Sequence, residues 1–289
     1  MKLEQPTDLG GVLEALALPG SMLVAGATSV TLLLKHRLVE PERLVSLRGV
    51  AELATIEVRE DGGLWIGATT TLRTIARAPE VRATFPTIAS AAGEIGNPRV
   101  RSVATLGGHL AHADPRQDLP PVLLALDGRV LVAGLRGRRE IPLSSLAVGL
   151  METRLEEEEV ILGVYLPPRR AGSSGASLRY TPVSVEDFPT VSVAVEVCRD
   201  GDGIVRAAQI AVGGAGPTAL LMEEAAALLQ GGPLDAVARD AAGAEVARRV
   251  APVEDRQGSP AYKAAMASLW TRRALEVVAS SGDRDEAGR

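Results

Sequence analysis

Apolar positions in the first ninety residues follow two rhythms in turn. Leu9, Val12, Leu13 and Leu16 recur at i, i+3, i+4 and i+7, which predicts a helix over 8–17 capped by Thr7 or Asp8. Residues 21–25 read as a short apolar strand that ends in Gly26-Ala27-Thr28-Ser29. A helix through 32–37 and a strand near 44–47 follow, so the chain begins as a small α/β unit. Residues 55–59 and 64–66 read as strands paired around Asp61-Gly62-Gly63, with helices near 72–77 and 87–93 behind them. From Glu94 to Asp118 neither rhythm holds, and Gly, Asn, Pro, His and Asp residues fill a long loop. A loop of that length inside a compact domain is often functional.

Regular patterning resumes with a helix at 119–126 and strands at 129–132, 140–142 and 160–166. The Pro-, Gly- and Ser-rich neighbourhood of 169–176 marks a domain boundary. Beyond it Val191, Val193, Val195 and Val197 alternate with Ser192, Ala194, Glu196 and Cys198, the period of a half-buried strand. Asp200-Gly201-Asp202-Gly203 turns the chain back through 204–212, and the later ligands of a calcium loop are missing. Three helices are expected after that. One carries the stripe Leu221, Ala225, Leu228 and Leu229, the second covers 234–250, and the third shows Tyr262, Met266, Leu269 and Trp270.

Composition narrows the function. The 289 residues are 46% hydrophobic but only 2% aromatic, so the core is aliphatic and each aromatic invites a reason. The formal net charge of −5 is spread along the chain, with no basic tract for nucleic acid. The lone Cys198 rules out an internal disulfide and a Cys-ligated iron–sulfur cluster. No apolar run is long enough for membrane insertion, and MKLEQPTDLGG has no apolar leader core, so the chain reads as cytoplasmic.

Two loops carry candidate chemistry. Ala25-Gly26-Ala27-Thr28-Ser29 lies between strand and helix, where small residues let backbone amides approach an anion. Thr105-Leu106-Gly107-Gly108-His109 offers a second set of amides, and Asp114 and Asp118 follow it. Asp118 suits a ribose hydroxyl or the cap of the next helix. His109, His112, Asp114 and Asp118 match no established zinc spacing, and a loop role is preferred to a metal site. There is no Gly-x-Ser-x-Gly elbow and no Walker loop, so no catalytic residue is assigned.

Taken in order, these segments resemble the FAD-binding medium subunit of the molybdenum hydroxylase (xanthine dehydrogenase and carbon-monoxide dehydrogenase) family over almost the whole length. The resemblance rests on Ala25 to Ser29, on Ile95-Gly96-Asn97-Pro98-Arg99-Val100-Arg101, and on Thr105 to His109. It rests further on Ala111, Asp114, Pro115, Asp118, Leu119 and Pro120, on Asp187-Phe188-Pro189, and on Tyr262, Met266 and Arg272-Arg273-Ala274. It implies an α+β fold in which a two-lobed FAD-binding module, 1–172, precedes an antiparallel sheet with a C-terminal helical bundle, 173–289. It implies FAD as cofactor, with the pyrophosphate held by backbone amides of Ala25, Gly26, Ala27, Thr28 and Ser29 and of Thr105, Gly107, Gly108 and His109. Ile95 would belong to the same site, Asp118 would meet the sugar or ribityl region, and Thr70 or Thr71 would sit near the flavin. Ile161 and Leu162 would lie beside the isoalloxazine, with Phe188 near the ring or simply in the core.

The implied partners are a molybdenum-cofactor large subunit and a two-iron iron–sulfur small subunit, the flavin passing electrons to an external acceptor. The chain departs from the family at Ala27 (usually Gly), at His109 (usually Asn), around Ser184 (usually Lys or Arg nearby) and at Leu221 (commonly Arg). These departures motivate a second reading, a fold-retaining scaffold or binding paralogue with weak or no FAD binding. A stand-alone flavin reductase is a third reading, disfavoured by the C-terminal match.

Overall fold

The computed structural model describes residues 1–286, and side chains as far as Ser281. It divides into two compact units that are not continuous in sequence. One comprises 1–113, 128–148 and 152–167, and the other 114–127, 149–151 and 168 onward. A single cut at residue 172 is thus crossed by the segment 114–127, which packs with the later part of the chain.

The first unit opens with β1 (Lys2–Glu4), α1 (Leu9–Leu16), β2 (Ser21–Val24), α2 (Val30–Lys35) and β3 (Arg43–Ser46). Asp8 caps α1 by accepting from the Gly11 amide at 2.8 Å. The three strands form a parallel sheet in the order β1-β3-β2. Next come β4 (Ile56–Val58), β5 (Leu64–Gly67), α3 (Leu72–Arg77), α4 (Pro79–Thr84), α5 (Pro86–Glu94), α6 (Pro98–Arg101) and α7 (Leu106–His112). After α8 (Leu119–Ala125) the first unit continues with β6 (Arg129–Gly134) and β7 (Gly137–Pro142). The short ribbon of β8 (Ala147–Gly149) and β9 (Glu152–Thr153) then leads to β10 (Val160–Leu166). An antiparallel sheet in the order β4-β5-β10-β6-β7 results. A shared core joins this sheet to the parallel one: Val12 and Ala15 of α1, Val45 of β3, Leu53, Ala133 of β6, and Val160 and Leu162 of β10.

The expected long loop at 94–118 contains two short helices instead. Asn97 Oδ1 accepts from the amides of Arg99 at 3.0 Å and Val100 at 3.1 Å, which starts α6. Thr105 caps α7 in the same way. Caps and Pro98 at the first helical position fix these turns, which are too short to show an apolar period. α4 escaped notice for the same reason, with Pro79 at its start.

The second unit adds β11 (Ser173–Tyr180), β12 (Val191–Arg199), β13 (Val205–Gly213), β14 (Leu220–Leu221), α9 (Glu223–Ala227), α10 (Ala236–Arg249) and α11 (Pro260–Glu286) to α8. Its sheet is antiparallel in the order β11-β12-β13-β14. β11 occupies part of the expected linker at 169–176. Leu221 belongs to β14 rather than to a helix, and Leu228 is exposed while Leu229 is buried, so the apolar stripe expected there is not one helical face.

Val191, Val193, Val195 and Val197 face Ala208, Ile210 and Val212 of β13 and the apolar sides of α10 and α11. The other face of β12 was expected to meet water. Ser192 and Ala194 are buried as well, because α8 covers that side. A Cβ at Gly213, paired with Ser192, would meet Ser192 Oγ at 2.6 Å and Pro121 Cγ at 2.9 Å. Small residues are therefore required where α8 sits. Replacing Ala194 by Leu should overpack this layer and cost about 1–3 kcal/mol. Unfolding in urea measures it, and an unchanged midpoint would show that α8 does not cover the sheet.

Candidate flavin site

In the first unit, the two glycine loops are brought together by backbone contacts. A Cβ at Gly26 would collide with the Val103 carbonyl and the Ala104 Cα, so only glycine lets the β2–α2 loop lie against residues 103–104. The 104–107 stretch in turn bonds along 68–72. The Leu72 amide donates to Ala104 O at 2.9 Å, the Leu106 amide to Thr70 O at 3.0 Å, and the Gly107 amide to Ala68 O at 2.7 Å. A Cβ at Gly107 would stand 2.7 Å from that of Ala68. The Ala68 amide completes the set by donating to Leu162 O at 2.9 Å. Loop 25–29, Thr70, loop 103–108 and Leu162 thus form one neighbourhood.

Within the β2–α2 loop, no hydrogen bond among the described residues occupies the amides of Gly26, Ala27, Thr28 or Ser29. Ala27 has φ +58°, the left-handed conformation, and Ser29 is right-handed. A left-handed residue turns the backbone sharply, and unclaimed amides in such a turn suit phosphate oxygens. In the second loop the amides are already engaged. The Gly107 amide is taken by Ala68 O, and the Gly108 amide donates to Thr105 Oγ1 at 3.3 Å. The His109 amide donates to Thr105 O at 2.9 Å, as in any first helical turn. Gly107 therefore serves close packing, and the open amides are those of the first loop.

Thr70 and Thr71 separate cleanly. Thr71 Oγ1 accepts from the Thr74 amide at 3.1 Å and caps α3. Thr70 is 2% exposed, and its hydroxyl has no hydrogen-bond partner among the described residues. A buried hydroxyl left in that state costs about 1–3 kcal/mol unless something fills its valence. Ile161 and Leu162 are buried on β10, where a bulge lies between Ile161 and Gly163. The Leu162 side chain belongs to the shared core, while its carbonyl serves Ala68. Ile95 ends α5, and its carbonyl accepts from Arg101 Nη1 at 3.0 Å, as does Gly96 O at 2.7 Å. The Ile95–Arg101 motif is thus a self-bonded turn leading into loop 103–108.

The second unit carries its own group. Asp118 precedes α8 but makes no capping bond. Its Oδ1 accepts instead from Arg179 Nε at 3.1 Å; Asp118 is buried and Arg179 largely shielded from water. Arg179 also donates to Val185 O at 2.6 Å and Asp187 O at 2.5 Å, tying down the loop before Phe188. A basic side chain thus reaches the loop around Ser184 from β11, that of Arg179 between Leu178 and Tyr180. Arg179 escaped the sequence reading because nothing in a strand pattern tells which loop a long side chain reaches.

Phe188 is 47% exposed and lies under the Arg116 guanidinium at 4.8 Å, so it is not core packing. Asp114 grips Arg116 through both oxygens, at 3.0 and 2.7 Å, and these bonds raise the guanidinium above its ordinary pKa. Gln257 Nε2 donates to Phe188 O at 2.8 Å, and buried Lys263 meets Asp255 at 2.8 Å. The Gln117 side-chain carbonyl oxygen is buried with no partner among the described residues. No group of three or more His, Cys, Asp or Glu among those residues is placed to hold a metal ion.

Residues 1–169 match the family described as the FAD binding domain in molybdopterin dehydrogenase, and 176–278 match the CO dehydrogenase flavoprotein C-terminal domain. The chain belongs to this family of FAD-binding medium subunits. It is 34% identical to the carbon monoxide dehydrogenase medium chain of Hydrogenophaga pseudoflava, over 92% of this chain and 93% of that one. It is 28% identical to the xanthine dehydrogenase FAD-binding subunit of Escherichia coli O157:H7, over 92% and 91%. Carbon monoxide dehydrogenase from H. pseudoflava superposes with a TM-score of 0.92 at 32% identity, covering 96% of each chain. Quinoline 2-oxidoreductase from Pseudomonas putida 86 does so with 0.92 at 28% identity, covering 97% of each. The family membership and α+β fold implied by the sequence motifs are thereby established, and the chain carries the FAD-binding domain of a family of oxidoreductase subunits. No helix among the described residues is long and apolar enough to cross a membrane.

Two expectations follow. Ala27→Gly removes a left-handed L-residue from the β2–α2 loop and should raise stability by about 0.5–1 kcal/mol in urea unfolding. A loss of stability would mean that Ala27 is not left-handed in the folded chain. Asp118→Asn leaves the Arg179 charge buried without its carboxylate and should cost about 3 kcal/mol. An effect within a few tenths of a kcal/mol would show the pair to be solvated.

Proposed function

We infer that the chain is the FAD-carrying electron-transfer subunit of a cytoplasmic molybdenum hydroxylase complex. The observation that carries this reading is the run of amides at 26–29, and the buried hydroxyl of Thr70 in the same unit, that no hydrogen bond among the described residues occupies. A cradle of donors around a left-handed residue suits a pyrophosphate, and the Thr70 hydroxyl gives the same ligand a polar contact. The residues present therefore fit FAD.

Ala25 to Ser29 would hold the pyrophosphate. Thr105, Gly107, Gly108 and His109 would support that loop from α7, chiefly by packing, with Ile95 bracing the approach. Thr70, Ile161 and Leu162 would line the flavin side of the first unit. Asp118, oriented by Arg179, would accept from a sugar or ribityl hydroxyl, and Phe188 would give the ring an apolar neighbour. Residues 1–172 would be the FAD-binding domain and the rest the C-terminal flavoprotein domain. When bound, FAD supplies exchange between single electrons and electron pairs, and the protein's part is binding, orientation and tuning. That division of labour accounts for a site without an acid–base pair or nucleophile. A molybdenum-cofactor large subunit would oxidise substrate, and a two-iron small subunit would deliver its electrons to this chain for an external acceptor. Medium-chain relatives such as the nicotine 6-hydroxylase medium subunit of Paenarthrobacter nicotinovorans, 33% identical over 88% of each chain, support a multi-subunit setting.

The alternative, a scaffold paralogue with little FAD affinity, draws on Ala27 and on the occupied amides of Gly107 and Gly108. Titrating the purified chain with FAD decides between them. The expected result is stoichiometric uptake with the absorption of bound oxidised flavin, and tighter uptake by Ala27→Gly. Absence of uptake at micromolar FAD would leave the scaffold reading standing.

A further inference from the structure

The chain has two Trp, three Tyr and two Phe, and three of these meet in the second unit. Tyr180 on β11 and Trp270 on α11 have ring centroids 4.4 Å apart at 44°. Tyr262, two turns before Trp270 on the same helix, stands 6.4 Å from Tyr180 by centroid, and the two hydroxyls are 2.7 Å apart. The indole N–H of Trp270 donates to the carbonyl of Arg179 at 3.2 Å. That bond has a backbone logic. β11 is an edge strand, and the Tyr180 carbonyl accepts from the Thr190 amide at 2.8 Å, so it faces β12. Carbonyls alternate along a strand, so that of Arg179 points to the open edge, where no strand can supply a donor. Trp270 supplies it. The Arg273 guanidinium covers the indole at 4.5 Å.

Arg179 is therefore fixed at its backbone by Trp270 and at the next residue by two aromatic rings. Its side chain reaches Asp118 and the carbonyls of Val185 and Asp187. We propose that Trp270, with Tyr180 and Tyr262, is a positioning group that sets Arg179 and thereby the Asp118 carboxylate and the loop at 181–190. Simple core filling does not call for this set. Tyr262 is exposed, Tyr180 and Trp270 are only half-buried, and the contacts are directional bonds that an aliphatic side chain of equal volume would lose. The flavin half of the proposal rests on the function inferred above.

The test uses the full chain as wild type, Trp270→Phe and Tyr262→Phe. Trp270→Phe keeps a ring against Tyr180 and deletes the N–H donor, while Tyr262→Phe deletes the hydroxyl bridge at an exposed position. Hydrogen exchange of 181–190 without flavin reads the positioning directly, and FAD titration with the flavin midpoint potential reads its consequence. Trp270→Phe should speed exchange in 181–190 about fivefold, the worth of one net hydrogen bond, while α10 and β13 keep their protection. The FAD dissociation constant should rise by a similar factor and the potential should shift. Tyr262→Phe should move the same readouts in the same direction, and it carries the test if Trp270→Phe does not fold. Wild-type exchange and wild-type affinity in both variants would overturn the proposal. If the wild type takes up no FAD, the functional reading fails, and the exchange result alone decides whether the aromatic bracket positions Arg179.

Discussion

The first unit depends on backbone reaching backbone without an intervening side chain. Gly26 against Val103 and Gly107 against Ala68 leave no room for a Cβ. These two approaches place the β2–α2 loop, the α7 entrance and Thr70 side by side, and the amide-to-carbonyl bonds along 68–72 and 104–107 lock the arrangement. That locking takes the Gly107 amide, and Thr105 takes those of Gly108 and His109, while no hydrogen bond among the described residues occupies the amides of 26–29. The glycines of the two loops thus do different work despite their similar appearance in sequence.

In the second unit a buried charge pair plays the corresponding part. Arg179 and Asp118 are both largely out of water, a condition tolerable only when each is well hydrogen-bonded. Arg179 meets it with Asp118 and two loop carbonyls, so one guanidinium settles the carboxylate before α8 and the loop leading to Phe188. Arg116, gripped by Asp114 and stacked on Phe188, fixes the far end of that loop. Rigid placement of polar groups by their neighbours is what a cofactor site requires when the cofactor performs the chemistry.

Much of this was legible in sequence. The 3.6-residue stripe of α1, the two-residue alternation of β12 and the turn at Asp200 each produced the element they predict, because burial on one face is imprinted directly on residue order. Short elements were not legible. α4, α6 and α7 are held by caps and prolines, and β11 is held by its neighbour β12. The burial of Ser192 and Ala194 was likewise invisible. Small residues are compatible with water or with a tightly packed helix, and only the position of α8 chooses between them.

The same division holds for the site. The sequence by itself determined the family, the α+β fold and the loops that carry the candidate residues, since ordered motifs over the whole chain are a local record. Tertiary structure alone decided which amides are engaged among the described residues, that Thr71 rather than Thr70 caps α3, that Asp118 turns to Arg179 instead of capping α8, and that Phe188 lies exposed beneath Arg116. Each of these depends on hydrogen bonds between residues distant in sequence, or on competition for one donor between near neighbours. Neither leaves a trace in the order of residues, because the outcome is set by which partner the folded backbone brings within reach.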